Sequence, residues 1–171
     1  GTAYGLEFFL KRSAQRLEGW LAYTYSRSFI KVDGAQYFDK INDGIRYPAN
    51  YDIPHVVNLV ATYHLARRVT VSMITTFQSG KPITYPVSVF YVDGVPTLDY
   101  SSRNAYRIPN YFRTDISLTL EGNLKKNKFL HSSLVLNLYN AMGRANPYSV
   151  FFNTAEGRIT RCLLVVVWRR R

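Results

Sequence analysis

Between Ala3 and Arg12, the residues Tyr4, Leu6, Phe8 and Leu10 occupy every second position, with Gly5, Glu7, Phe9 and Lys11 between them. A period of two is what an extended chain needs to show one apolar face and one mixed face. The pattern returns along the chain. Leu17, Leu21, Tyr23 and Tyr25 alternate with Glu18, Trp20, Ala22, Thr24 and Ser26, and Val57, Leu59, Ala61 and Tyr63 with Asn58, Thr62 and His64. Val71, Met73 and Phe77 oppose Thr70, Ser72, Thr76 and Gln78, while Phe112, Ile116, Leu118 and Leu120 oppose Arg113, Asp115, Ser117 and Thr119. Last come Leu130, Leu134, Leu136 and Leu138 against His131, Ser133 and Asn137. No stretch of useful length repeats at the helical period, so the sequence predicts an all-β protein of antiparallel strands about 10 residues long.

The connections narrow the class. Short ones at 13–16, 66–68 and roughly 121–128 alternate with long ones at 31–54 and 79–110. A soluble sandwich has no reason to sort its loops this way, whereas transmembrane β-barrels place short turns on one rim and long loops on the other. The central parts of the apolar sets carry no Lys, Arg, Asp or Glu, in keeping with the cost of about 2–4 kcal/mol for a basic residue at the bilayer midplane. Alternation alone also suits a soluble lipid-binding barrel, which would bury Leu134, Leu136 and Leu138 in a dry interior. The longest apolar run, 162–168, is far short of the roughly 20 residues a membrane helix needs. With 47% hydrophobic and 19% charged residues the chain is not disordered. Its single cysteine, Cys162, excludes an internal disulfide framework and a Cys-based zinc site.

Counting strands gives about seven, if 129–152 forms one long irregular strand with Gly143 and Pro147 at a bulge, and the stretch through 162–168 forms the last. Bacterial single-chain barrels are even-stranded, and an odd number leaves two unpaired edges. The expectation is therefore a barrel segment that does not close by itself. The chain begins Gly-Thr-Ala-Tyr with no leader pattern, so it reads as a mature chain or a piece of one.

Four strings, YPANYDIPH (47–55), FQSGKPIT (77–84), RNAYRIPNYFRTD (103–115) and LNLYNAMGRANPYSVFF (136–152), resemble, in order, the C-terminal part of TonB-dependent outer-membrane receptors of the Bacteroidetes type. The resemblance covers most of the chain. It implies that residues 1–171 are the C-terminal portion of a 22-stranded barrel in the bacterial cell outer membrane. It also implies a role in energised uptake of a scarce external ligand such as a siderophore, cobalamin or a glycan, without catalysis. The implied partners are outer-membrane lipid and the TonB complex. The latter is reached through an N-terminal plug that has no counterpart in these residues, so the chain alone is not expected to transport. The family's last strand alternates and ends on an aromatic residue; ITRCLLVVVWRRR departs from that pattern. The competing expectation is a small autonomous outer-membrane barrel with a structural or adhesive role, which requires an even, closed ring.

The long connections hold the candidate ligand-binding rings Tyr47, Tyr51, Tyr85, Tyr91, Tyr100 and Tyr106, along with Tyr37, Phe38, Phe90, Asp39, Asp43 and Asp52. Flat rings on loops bury much area on a ligand at low entropic cost; equally, they pack such loops against each other. Arg113 and Asp115, two apart, share the face assigned to a lumen, as an ion pair or as a ligand or plug contact. His55, His64 and His131 match no metal-binding spacing, and no cofactor is expected. No GxSxG, HExxH, Walker or GxGxxG motif occurs, so the chain is not expected to be an enzyme. The net charge of +11 gathers mainly at the short-turn rim, in Lys11, Arg12, Arg16, Arg67, Arg68, Lys125, Lys126, Lys128 and Arg169 to Arg171. The aromatics lie on strands or in the opposite loops, so nucleic acid is not an expected partner and a solvated rim favouring anionic headgroups is.

Overall fold

The structure is a computed structural model that describes residues 1–122, 132–155 and 158–165. Its strands are β1 (Thr2–Ser13), β2 (Leu17–Ile30), β3 (Tyr47–Pro48), β4 (His55–Ala66), β5 (Val69–Gln78), β6 (Pro82–Ile83), β7 (Pro86–Val92), β8 (Val95–Tyr100), β9 (Tyr106–Arg107), β10 (Tyr111–Glu121), β11 (Ser133–Leu138), β12 (Pro147–Ala155) and β13 (Arg158–Val165). Two single turns of 3₁₀ helix, Tyr37–Asp39 and Asn42–Gly44, lie between β2 and β3. The described residues are all-β and antiparallel, as the two-residue period predicts.

The long strands form one meander in the order β1-β2-β4-β5-β10-β11, with β3 added to the end of β2. Pairing register determines the faces. Leu10 meets Leu21, which meets Leu59; Tyr23 meets Val57, which meets Phe77, which meets Phe112; Met73 meets Ile116, which meets Leu138; and Val71 meets Leu118, which meets Leu136. All the alternating apolar sets thus fall on the same face, because a strand shifted by one residue would present its polar set there instead. The hydroxyls of Thr75 and Thr114, on this face, bond each other at 3.1 Å, so neither is left unsatisfied. The opposite face carries Glu7, Asn58, Thr62, Ser72, Arg113, Asp115 and Ser117.

Nothing among the described residues covers the apolar face. Among the described residues the buried hydrophobic side chains are Tyr47, on the short β3, and Ala49 just after it, away from the long strands, while Leu6 is 69% and Leu136 54% exposed. The sheet is also open, with β1 and β11 as its two edges. Short turns at residues 14–16 and at Arg67 and Arg68 lie on one rim, opposite the long connections 31–54 and 79–110. Lys125, Lys126, Lys128, Leu130 and His131, between β10 and β11, lie outside the described residues, as do Trp168 and Arg169 to Arg171.

Two expectations are corrected. Residues 129–152 do not make one strand: β11 ends at Leu138, Asn140 (φ 50) and Gly143 (φ 62) turn the chain through the left-handed region, and β12 pairs with β13 in a separate two-stranded sheet. Beside β10 the ladder is continued by a side chain. The Asn146 carboxamide accepts from the Phe112 N–H at 2.9 Å and donates to the Phe112 carbonyl at 2.8 Å, and Ala141 N–H donates to the Thr114 carbonyl. Gly143 therefore lies in a break where a bulge within one strand was expected, and Pro147 opens the new strand β12 at a register shift against β13. The meander consequently has six long strands, and the expected seventh, β13, lies off it. Secondly, 79–110 is not one loop but contains the β7–β8 hairpin, turned by Asp93 (φ 50) and Gly94 (φ 79), a conformation suited to a type I′ turn.

Candidate functional site

The two long connections are knitted to each other at the rim. Asp52 is the hub, with a side chain that is fully buried. Its carboxylate accepts from the Ser28 backbone N–H at 2.7 Å and pairs with Arg27 at 3.4 Å and with Arg107. Arg107 also donates to the Asp52 carbonyl at 2.9 Å and the Gly80 carbonyl at 2.8 Å, so one guanidinium ties β9 to both strand ends beneath it. Arg107 is delivered there because β6 and β9 pair through Pro82–Arg107 and Ile83–Tyr106. Gly80 makes that return possible: a Cβ at this position would collide with the Ile108 carbonyl oxygen.

Further cross-links lie above this hub. Asn104, in the left-handed region (φ 59), donates through its amide to the Pro48 carbonyl and to Asn50 Oδ1, both at 2.7 Å. Asn42 accepts from the Arg103 N–H at 2.7 Å and donates to the Arg103 carbonyl at 3.2 Å, another carboxamide standing in for a strand. Within the first connection Asp33 pairs with Lys31 at 2.9 Å and Lys40 at 3.6 Å. The hydrogen bond from Lys31, then its charge, with a smaller contribution from Lys40, hold the Asp33 carboxyl below the usual carboxylate range.

The six candidate tyrosines do not form one cluster. Tyr47 is buried beneath the first connection, on β3, and packs the loop. Tyr85 and Tyr106 meet with ring centroids 5.5 Å apart, and Phe152 of β12 meets Tyr85 edge-on at 4.8 Å. Tyr51 is 70% exposed, and Tyr91 and Tyr100 stand exposed on the β7–β8 hairpin, without ring partners among the described residues. Two guanidiniums lie over the Phe29 ring, Arg27 at 4.6 Å and Arg46 at 4.8 Å from its centroid. On this braced base the rim offers exposed rings at Tyr51, Tyr91 and Tyr100 and, separately, Phe29 against two guanidiniums, groups of the kinds that hold a flat or an anionic ligand by stacking and by charge.

Arg113 and Asp115 pair in a fork, Nε to Oδ1 at 2.9 Å and an Nη to Oδ2 at 2.6 Å, and Asp115 also accepts from the Asn140 N–H at 2.8 Å. That geometry anchors the chain where β11 ends. His55 bonds the Tyr23 hydroxyl at 3.0 Å and His64 the Thr70 hydroxyl at 3.1 Å. Among the described residues no three His, Cys, Asp or Glu side chains gather as metal ligands. Asp52 appears in the sequence only as one loop acid among several, and Arg107 and Asn104 carry no local signal; their partners in the first connection are 54 to 56 residues away. No protein-family model, no curated protein and no solved structure matches the chain.

Proposed function

We propose that this chain is part of the wall of a transmembrane β-barrel receptor in the bacterial outer membrane, with its long connections on the ligand-capturing side. In this reading it belongs to an energised uptake system for a scarce external ligand and performs no catalysis. The observation that carries it is the bare apolar face. Six strands in sequential pairing bring every apolar set to one side, yet nothing among the described residues lies on that side. In water such a face loses about 25 cal/mol for each Å² of apolar surface left exposed, whereas hydrocarbon meets it without that loss. The sorted connections support the same orientation. The two open edges favour a segment of a larger ring over a self-contained small barrel, since lipid gives unpaired strand edges no partners.

Site-directed labelling tests the reading. In the protein as its host makes it, with Cys162→Ser as background, single cysteines replace Leu118 or Ser117, which are adjacent on β10 and lie on opposite faces. Quenching of a fluorophore at 118 by brominated lipid, with a water-soluble quencher reaching 117, is the expected result. Lipid quenching at 117 and protection at 118 would reverse the faces and sink the proposal.

A further inference from the structure

The short-turn end of the apolar face has an ordered composition. Leu17 and Tyr63 are exposed there, paired with each other on the same side as the rows of Leu10, Leu59 and Leu118. Immediately beyond them come Arg12, Arg16, Arg67 and Arg68, all exposed. Arg12 is the informative residue. By register it is the last member of the apolar set of β1, two residues past Leu10, and it stands opposite Gly19, which in turn faces Ala61. Two small residues leave room for its stem to lie along the sheet while its head reaches the rim. Glu18 and Glu121 are the acidic residues at this rim, and among the described residues neither pairs with these four arginines, in contrast to the long-loop rim, where Asp33 and Asp52 neutralise Lys31, Lys40, Arg27 and Arg107.

We infer that this rim is a binding surface for the phosphate groups of anionic phospholipid, with Arg12, Arg16, Arg67 and Arg68 as its ligands. The inference rests on the membrane reading proposed above and adds the lipid class to it. A face that passes from leucine through tyrosine to guanidinium matches the passage from acyl chain through interface to headgroup. Guanidinium binds phosphate oxygens in two-pronged fashion, and the cations continue an apolar face where a nucleic acid would require aromatics interleaved with them.

The test reconstitutes the full-length protein in phosphatidylcholine vesicles and measures association of spin-labelled phosphatidylglycerol against spin-labelled phosphatidylcholine. The expected result is a preference for phosphatidylglycerol of roughly three- to ten-fold at low salt, falling as salt screens the rim. The preference should disappear in the Arg12→Gln, Arg16→Gln, Arg67→Gln, Arg68→Gln variant and persist when the same four become lysine. Equal association of the two lipids with the inserted wild-type protein, or a preference that survives the glutamine variant, overturns this inference and leaves the membrane reading standing. Failure of the wild-type protein to insert overturns both. If only the glutamine variant fails to insert, the lysine variant and the salt dependence decide: a preference indifferent to salt overturns the inference.

Discussion

Asp52 holds more of the rim together than any other single residue, because one buried carboxylate serves a backbone N–H and two arginines from different parts of the chain. Asp52→Ala should cost about 1–3 kcal/mol, less than a fully buried pair, since both guanidiniums retain partial access to water. Amide exchange at Ser28 and Ala49 should accelerate while the centre of β4 and β5 is unaffected; unchanged exchange at Ser28 would show that the hub is dispensable. Asp33 supplies a pH-dependent element. Its pKa is lowered in the folded chain, so the contact with Lys31 and Lys40 is fully present above the ordinary value of 3.8 and is lost as pH falls through the depressed value. Amide exchange around 33–41 should therefore rise on acidification below about pH 4, and Asp33→Asn should abolish that dependence.

At the scale of elements, the six long strands were legible because alternation is local: each residue's face follows from its own neighbours. The β7–β8 hairpin was legible in principle, since Asp93 and Gly94 between Val92 and Val95 are a strong turn signal, but it lies within a stretch that reads as one long connection. The end of β11 was not legible, because the bond of Asn146 to Phe112 spans 34 residues and has no period. The same holds for Asn104 and Arg107, whose partners are set by how two connections cross. Among the candidate rings the sequence could name the residues but not divide the buried Tyr47 from the exposed Tyr51. Gly94→Val should test the hairpin: nothing crowds the position, but a β-branched residue at φ 79 costs about 1–3 kcal/mol. Faster exchange confined to β7 and β8, with β10 unaffected, is the expected pattern.

For the whole molecule, the two faces of the sheet make opposite demands. Leu118→Arg places a cation among Val71 and Leu136, and Ser117→Arg places one beside Ser72 and Asn137. If the apolar face meets hydrocarbon, the first should reduce assembled protein in the outer membrane by an amount reflecting about 2–4 kcal/mol, and the second should leave it near wild type. Heat-modifiability on gels checks both, and equal loss in the two variants would contradict the division of faces. The open edges carry one more consequence. Every residue of β1 is exposed, and its outer margin offers amides and carbonyls that no neighbour answers among the described residues. Made as a solitary polypeptide in water, this stretch should join copy to copy, margin against margin, into ribbons; if it is a segment of a larger ring, as proposed, the strands that flank it there would keep it singular.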